Sequence, residues 1–264
     1  MSVLSNVDIE KEIYKNKNIV IYPLNLDNIK SSSYNLTASS LAWSLNTKQR
    51  IVNNNVIIIP PNDSALIVTQ EVIWVSKKIS GTYHSKVSLV TKGAGHLGTT
   101  LDPTWWGHSL VTIHNHSDKN LKINVGDSFV TIMFYYLNKK TNKEQENLPN
   151  QSGQLGSFKT LNSIEKAFFE KKFNSSLEGL KEEFYQQDEY KELGKKYNSF
   201  KRKIVSVLTI LFFLLIWVGG SYIYSFYQNY SYSKGFWLFT LTILGSGAGL
   251  VMIQYLVKKI GGNG

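Results

Sequence analysis

Residues Ser85–Asn115, SKVSLVTKGAGHLGTTLDPTWWGHSLVTIHN, decide how this chain is read. Leu110–His114 is a short β-branched run with the pattern of a strand. Thr112 and His114 are two residues apart and share a face when the backbone is extended. Gly93–Thr100 is a loop of small residues whose backbone can approach a ligand closely. Asp102 precedes Pro103, a pair suited to a turn. Lys86 and Ser88 bring a cation and a hydroxyl, both suited to anionic oxygens. Trp105 and Trp106 either wall a site or fill the core, and the core is the expectation for at least one of them.

Working outward, residues 1–158 read as mainly β. Further strand-like runs are Ile19–Tyr22, Val56–Ile59, Ala65–Thr69, Val72–Val75, Leu121–Ile123 and Phe129–Tyr136. Turn-forming clusters such as Pro60-Pro61-Asn62-Asp63 and Val125-Gly126-Asp127 separate them. Asp8–Ile13 predicts a short helix. Many short strands with regular turns imply a barrel or a double-sheet roll.

The whole chain has 264 residues, no cysteine and a formal charge of +10. Without cysteine, disulfides, thiolate metal sites and thiol nucleophiles are excluded. The positive balance does not point to nucleic acid, because the lysines are scattered and no long basic run is present. Part of the excess lies in Lys201-Arg202-Lys203 and Lys258-Lys259, on either side of an apolar tail.

That tail contains Ile204–Tyr224, IVSVLTILFFLLIWVGGSYIY, and Phe236–Val257, FWLFTLTILGSGAGLVMIQYLV, both free of charged residues. Each is long enough to cross a hydrocarbon core of about 30 Å. Two transmembrane helices in residues 204–257 are therefore expected, followed by a short basic tail, 258–264. Basic residues outside the pair predict that the N-terminal domain and the C-terminus face the cytoplasm, at an inner membrane. The N-terminus lacks the apolar stretch of a signal peptide. Gly245 and Gly249 fall on one helical face, which suits either self-association or packing within the hairpin. Residues 159–203 read as a charged, amphipathic connecting helix, with Phe168, Leu180, Phe184 and Leu193 on its apolar stripe. It either self-associates or packs on the domain.

The order of motifs over about residues 4–156 resembles the dCTP deaminase and dUTPase superfamily, and more closely its deaminase branch. Leu4-Ser5-Asn6-Val7-Asp8-Ile9 is similar to that branch's opening L-S-D-x-D-I. Ile29-Lys30-Ser31-Ser32-Ser33-Tyr34-Asn35-Leu36 resembles I-Q-P-S-S-x-D-L, with Asn35 at the aspartate position. Ile59-Pro60-Pro61 through Glu71, Ser85-Lys86-Val87-Ser88-Leu89 and Leu101-Asp102-Pro103-Thr104-Trp105-Trp106-Gly107 stand at L-x-P-G-E-x-x-L-x-x-T-x-E, G-[RK]-S-S-L and I-D-P-G-[WF]-x-G. The implied fold is a distorted β-roll or barrel of dUTPase type, here followed by a helical stalk and two transmembrane helices. The implied assembly is a homotrimer with nucleotide sites between subunits.

The resemblance also implies roles. Matching without gaps from Asp102 puts Thr112 at the glutamate that activates water in the deaminases. A hydroxyl is not a base near neutral pH, so deamination by that route is not expected. His114 is a weak substitute base, and His114 with His116 is too little for a metal site; no metal is expected there. Lys86, Ser88 and Lys92 are the implied phosphate contacts, with Val87 and Thr91 replacing a serine and an arginine. Asp102 implies deoxyribose recognition, or a diphosphatase activity that would use Mg²⁺. Trp105 and Thr112 are candidate contacts to the nucleotide. Gln151 and Gln154 lie in a segment similar to the deaminase lid. Three functions remain open: a degenerate nucleotide-binding protein signalling to its membrane hairpin, a tethered nucleotide-metabolising enzyme, and a non-catalytic scaffold. The first, in a bacterial stress or antiviral defence setting, is the leading expectation.

Overall fold

The computed structural model describes residues 2–96, 98–143, 162–169, 171, 176–229 and 231–245. The chain divides into two compact units, Met1–Gly194 and Lys195–Gly264.

The first unit opens with β1 (Ser2–Val3) and helix α1 (Asn6–Tyr14). Ser5 accepts a hydrogen bond from Asp8 N at 3.2 Å and Asp8 accepts one from Ser5 N at 3.1 Å, closing a capping box. Strands β2 (Ile19–Tyr22), β3 (Ile29–Lys30), β4 (Ser33–Ser44), β5 (Val52–Asn53), β6 (Val56–Ile59), β7 (Ser64–Val75) and β8 (Ile79–Ser85) follow. After the one-turn helix α2 (Val87–Val90) come β9 (Ala94–Gly95), β10 (Thr100–Leu101), β11 (Trp106–Asn115), β12 (Leu121–Asn124) and β13 (Ser128–Tyr136).

Most of these strands form one sheet in the order β10-β8-β13-β4-β7-β11-β9, and β12-β6-β5 form a smaller one. The large sheet turns on β4. Its first half pairs with β13, as Asn35 with Thr131, and its second half with β7, as Trp43 with Leu66. Register shifts in both ladders let β4 bend between the two layers. Tyr34, Leu36, Ala38, Ile67, Ile113, Phe129, Ile132 and Phe134 are buried between them. Alternation leaves Asn35, Thr82, His84 and Thr131 on the opposite face of the β8-β13-β4 layer.

The expected strands are present, with Ala65–Thr69 and Val72–Val75 merged into β7. Seven strands went unread, five of them only two residues long and two of them longer, β4 and β8. The β4 segment SYNLTASSLAWS is rich in serine and alanine, and its strand state comes from tertiary pairing more than from propensity. The start of β8, Ile79-Ser80-Gly81, reads as a turn, yet Gly81 is needed there: a Cβ would come 2.9 Å from Met133 O.

The connecting region also differs from a single helix. It contains α3 (Ser163–Phe169), α4 (Leu177–Gln186) and the start of α5 (Asp188–Tyr227), with a break at Gln187, whose backbone is extended. Up to Gly194 it belongs to the first unit. Leu180, Phe184 and Leu193 are fully buried, Gln187 accepts a hydrogen bond from Leu24 N at 2.8 Å, and Lys181 Nζ stands 4.2 Å from the Trp74 ring centroid. Burying three such apolar side chains is worth about 2 kcal/mol each. Packing on the domain is thus what residues 177–194 do.

α5, which begins in the first unit, is 40 residues long and is the one described helix long and apolar enough to cross a membrane. The second apolar segment begins as α6 (Tyr232–Gly245), and residues 246–264, which include Gly249 and the rest of the second expected span, lie outside the described residues. α5 and α6 pack through small residues. A Cβ on Gly235 would collide with Ser225, and one on Gly220 with the Phe239 ring. Trp217 Nε1 donates to Thr240 Oγ1 at 3.0 Å across the seam, and Ser225 Oγ donates to Ser221 O at 2.8 Å. Polar groups facing an apolar surround are thereby satisfied.

Candidate nucleotide site

β8 delivers Lys86 to the N-terminus of α2, where its Nζ donates to Ser128 Oγ on β13. Lys86 is half-buried. Burial pulls its pKa below the usual lysine value, the Lys30 ammonium pulls it further, and Asp127 opposes both. Ser88 and Lys92 are exposed on α2 and the turn after it.

The chain then turns at Gly93, whose φ of +80° and contact with Ser117 exclude a side chain: a Cβ would sit 2.9 Å from Ser117 Cβ. β10 returns the loop to β8, with Thr100 opposite Thr82 and Tyr83 N donating to Thr99 O at 3.0 Å. Asp102 follows, exposed. Thr104, at the glycine of the I-D-P-G pattern, keeps a φ of +68°. A β-branched residue is strained there, and such strain often accompanies a working site. Trp105 is half-buried, whereas Trp106 is buried, so Trp106 belongs to the core.

On β11, Val111, Ile113 and Asn115 face the core and Leu110, Thr112 and His114 form a half-buried face. Thr112 pairs with Leu66, and His114 Nδ1 lies 2.6 Å from Ser64 Oγ. Leu66, Leu110 and, from α3, Phe168 and Phe169 all pack against the buried Leu41, Trp43 and Val68. The His114 and His116 rings stack at 5.9 Å. His96 Nδ1 lies 2.8 Å from Ser85 Oγ, and burial holds its pKa below the usual histidine value, helped by His84 and His114. Among the described residues no group of three His, Cys, Asp or Glu could hold a metal ion.

The buried carboxylates have other duties. Glu12 accepts from Asn16, Asn18 and Tyr136 at 2.6–2.8 Å, and Asp63 accepts from Ser44 Oγ and Ser64 N, both at 2.7 Å. Glu71 accepts from Thr37 N and Thr37 Oγ1, both at 2.9 Å, and its burial raises its pKa to about 7. A cleft of about 410 Å³, touching Tyr22, Ser39, Gln70 and Phe168, contains none of the site residues assigned from the sequence.

The structure therefore brings Thr112 and His114 to one face of β11 and puts Lys86 against β13. Gln151 and Gln154 lie outside the described residues. Sequence reasoning missed Lys30, Ser128 and His96. Lys30 was visible as a departure from the I-Q-P-S-S-x-D-L pattern, whereas Ser128 joins Lys86 through tertiary packing alone.

Residues 3–137 match the family model described as dCTP deaminase-like. The dCTP deaminases of Pyrococcus horikoshii and Pyrococcus furiosus are each 26% identical over 121 residues, covering 46% of this chain and 78% of theirs. That of Pyrococcus abyssi is 28% identical over 121 residues, covering 46% and 79%. Among solved structures, the 2'-deoxycytidine 5'-triphosphate deaminase of Agrobacterium tumefaciens is similar at 11% identity and a TM-score of 0.42, with 50% of this chain and 47% of that one covered. The chain thus spans about half of that enzyme. The EIAV dUTPase is similar at 18% identity and a TM-score of 0.36, with 49% and 99% covered.

Proposed function

The chain belongs to the dCTP deaminase-like family, and from that membership we propose that it binds a nucleotide without deaminating it and is held at a membrane by its C-terminal helices. The observation that carries this reading is Thr112. It occupies the half-buried face of β11 at the position where the family pattern has its glutamate, and the buried Glu12, Asp63 and Glu71 are each tied to other groups. Water activation at a base ring needs a proton acceptor within hydrogen-bond reach, and a threonine hydroxyl does not supply one. His114 is bonded through Nδ1 to Ser64, which fixes the ring as a structural group.

In this reading Lys86, Ser88 and Lys92 meet the phosphates, Asp102 the sugar, Trp105 and Thr112 the base, and Gln151 and Gln154 close the site. Three chains assemble as a homotrimer, with the domain on the cytoplasmic side of an inner membrane. The apolar stretch of α5 supports anchoring, and binding is relayed to the membrane hairpin. A second reading, a tethered deaminase or diphosphatase, is favoured by the Pyrococcus relatives, which are dCTP deaminases, and by the exposed Asp102. Mg²⁺ belongs to that second reading. Among the described residues no three His, Cys, Asp or Glu side chains come together to hold a metal ion directly.

The test uses the full-length chain in detergent micelles with dCTP, dUTP and related nucleotides, recording thermal shift beside ammonia and pyrophosphate release. Stabilisation without product is expected. Product whose release falls on Asp102→Asn supports the enzyme, and neither stabilisation nor product leaves a scaffold.

A further inference from the structure

The face of β11 that carries Thr112 continues across β7 onto β4. Thr112 pairs with Leu66, Leu66 pairs with Trp43, and Leu110 pairs with Val68. Alternation puts these side chains on one side of the three strands and Val111, Ile67 and Ala42 on the other. Among the described residues, α3 lies over the first side. Its Phe168 and Phe169 pack against the buried Leu41, Trp43 and Val68. The ring of His108, near the start of β11, stands 4.7 Å from the Phe168 ring and 5.8 Å from that of Phe169.

This helix fits its seat imperfectly. It has seven residues, and its first turn is closed by Asn162 and Glu165, each accepting from the other's backbone N–H at 2.9 Å. A helix so short is not stable alone in water, so α3 owes its helical state to this face. Beneath it Trp43 is 1% exposed, and its indole N–H is buried without a hydrogen-bond partner among the described residues. A buried donor left unpaired costs free energy, and the docked α3 supplies no acceptor. Phe168 also lines the cleft of about 410 Å³ with Tyr22, Ser39 and Gln70, so one edge of α3 borders open space.

We propose that α3 is an autoinhibitory cover, which a nucleobase displaces from the β4-β7-β11 face by giving the Trp43 N–H a carbonyl acceptor. The row Trp43, Leu66, Thr112 suits a flat heterocycle edged with carbonyl and amino groups. Leu66 offers an apolar floor, with the indole donor on one side and on the other a hydroxyl that can donate or accept. None of these side chains is charged, so the row holds nothing for an anion, and a purely apolar occupant would leave Trp43 unpaired as α3 does. The hydrogen bond gained at Trp43 offsets part of the packing lost from Phe168 and Phe169. This regulation rests on the nucleotide-binding function proposed above.

The experiment titrates the full-length chain in detergent micelles with dCTP and dUTP, and follows hydrogen exchange over residues 163–169. In wild type, nucleotide is expected to speed exchange in α3, because the released helix melts, whereas a ligand settling on a fixed surface slows it. This measurement needs no substitution and so does not depend on a variant folding. The double variant Phe168→Ser, Phe169→Ser is expected to bind about tenfold tighter, since less packing opposes the ligand. Trp43→Phe keeps an aromatic ring but loses the donor, and is expected to bind about tenfold weaker. Nucleotide bound with exchange in α3 unchanged or slowed, or bound within about twofold of wild type by both variants, overturns the cover and leaves the nucleotide reading standing. Nucleotide bound by the double variant alone supports both. No nucleotide bound by any of the three proteins removes the nucleotide reading and this inference with it.

Discussion

Replacing Glu71 by glutamine should change how the stability of the β domain depends on pH. Glu71 is buried, its two oxygens each accept a hydrogen bond from Thr37, and its pKa is raised from 4.5 to about 7, chiefly by burial. The folded value lies above the unfolded one. The stability this group contributes is therefore complete below pH 4.5 and is lost as pH rises through about 7. The interval between 4.5 and about 7, at about 1.4 kcal/mol per tenfold change, corresponds to about 3 kcal/mol. Glutamine preserves the shape and can still pair with Thr37, its carbonyl accepting from Thr37 N and its amide donating to Thr37 Oγ1. The assay is urea unfolding of wild type and Glu71→Gln between pH 4 and pH 8, followed by tryptophan fluorescence. The stability difference should move in favour of glutamine by about 3 kcal/mol across that range. A difference that stays flat with pH would show that Glu71 ionises normally and would refute the reasoning.

Three further substitutions probe other parts of the account. Thr104→Gly should raise stability by about 0.5–1 kcal/mol in the same assay, because relief of a left-handed backbone outweighs the added freedom of glycine when unfolded. Asn115→Ala should cost about 3 kcal/mol, since the Asn115 amide donates to Ile59 O, Pro60 O and Lys119 O at 2.8–3.0 Å and fixes the end of β11. A loss below about 1 kcal/mol would mean that water replaces those bonds freely. Gly235→Leu should drive α5 and α6 apart, read as loss of a disulfide cross-link between cysteines placed at Ser221 and Phe239; unchanged cross-linking would contradict the seam described.

Much of the fold was legible because its strands obey simple rules. Val56–Ile59 and Leu121–Ile123 announce themselves by β-branched side chains, and the run Asp8–Ile13 announces α1. β4 was not legible: its serines and alanines have little strand preference, and it is held by β13 and β7, which are distant in sequence. The docking of residues 177–194 was open between two outcomes until Leu180, Phe184 and Leu193 were found buried. At the site, motif order identified Lys86, Asp102 and Thr112 because each sits inside a local pattern. Ser128 meets Lys86 only through the tertiary packing of separate segments, which no local pattern encodes.

The central claim is that this family member retains a nucleotide but not the deamination chemistry. Its most direct test is calorimetric titration of the full-length chain in micelles with dCTP and dUTP, with ammonia measured in the same samples. The account predicts saturable binding of a deoxynucleoside triphosphate and no ammonia above the protein-free blank. Ammonia released in proportion to protein concentration would contradict it.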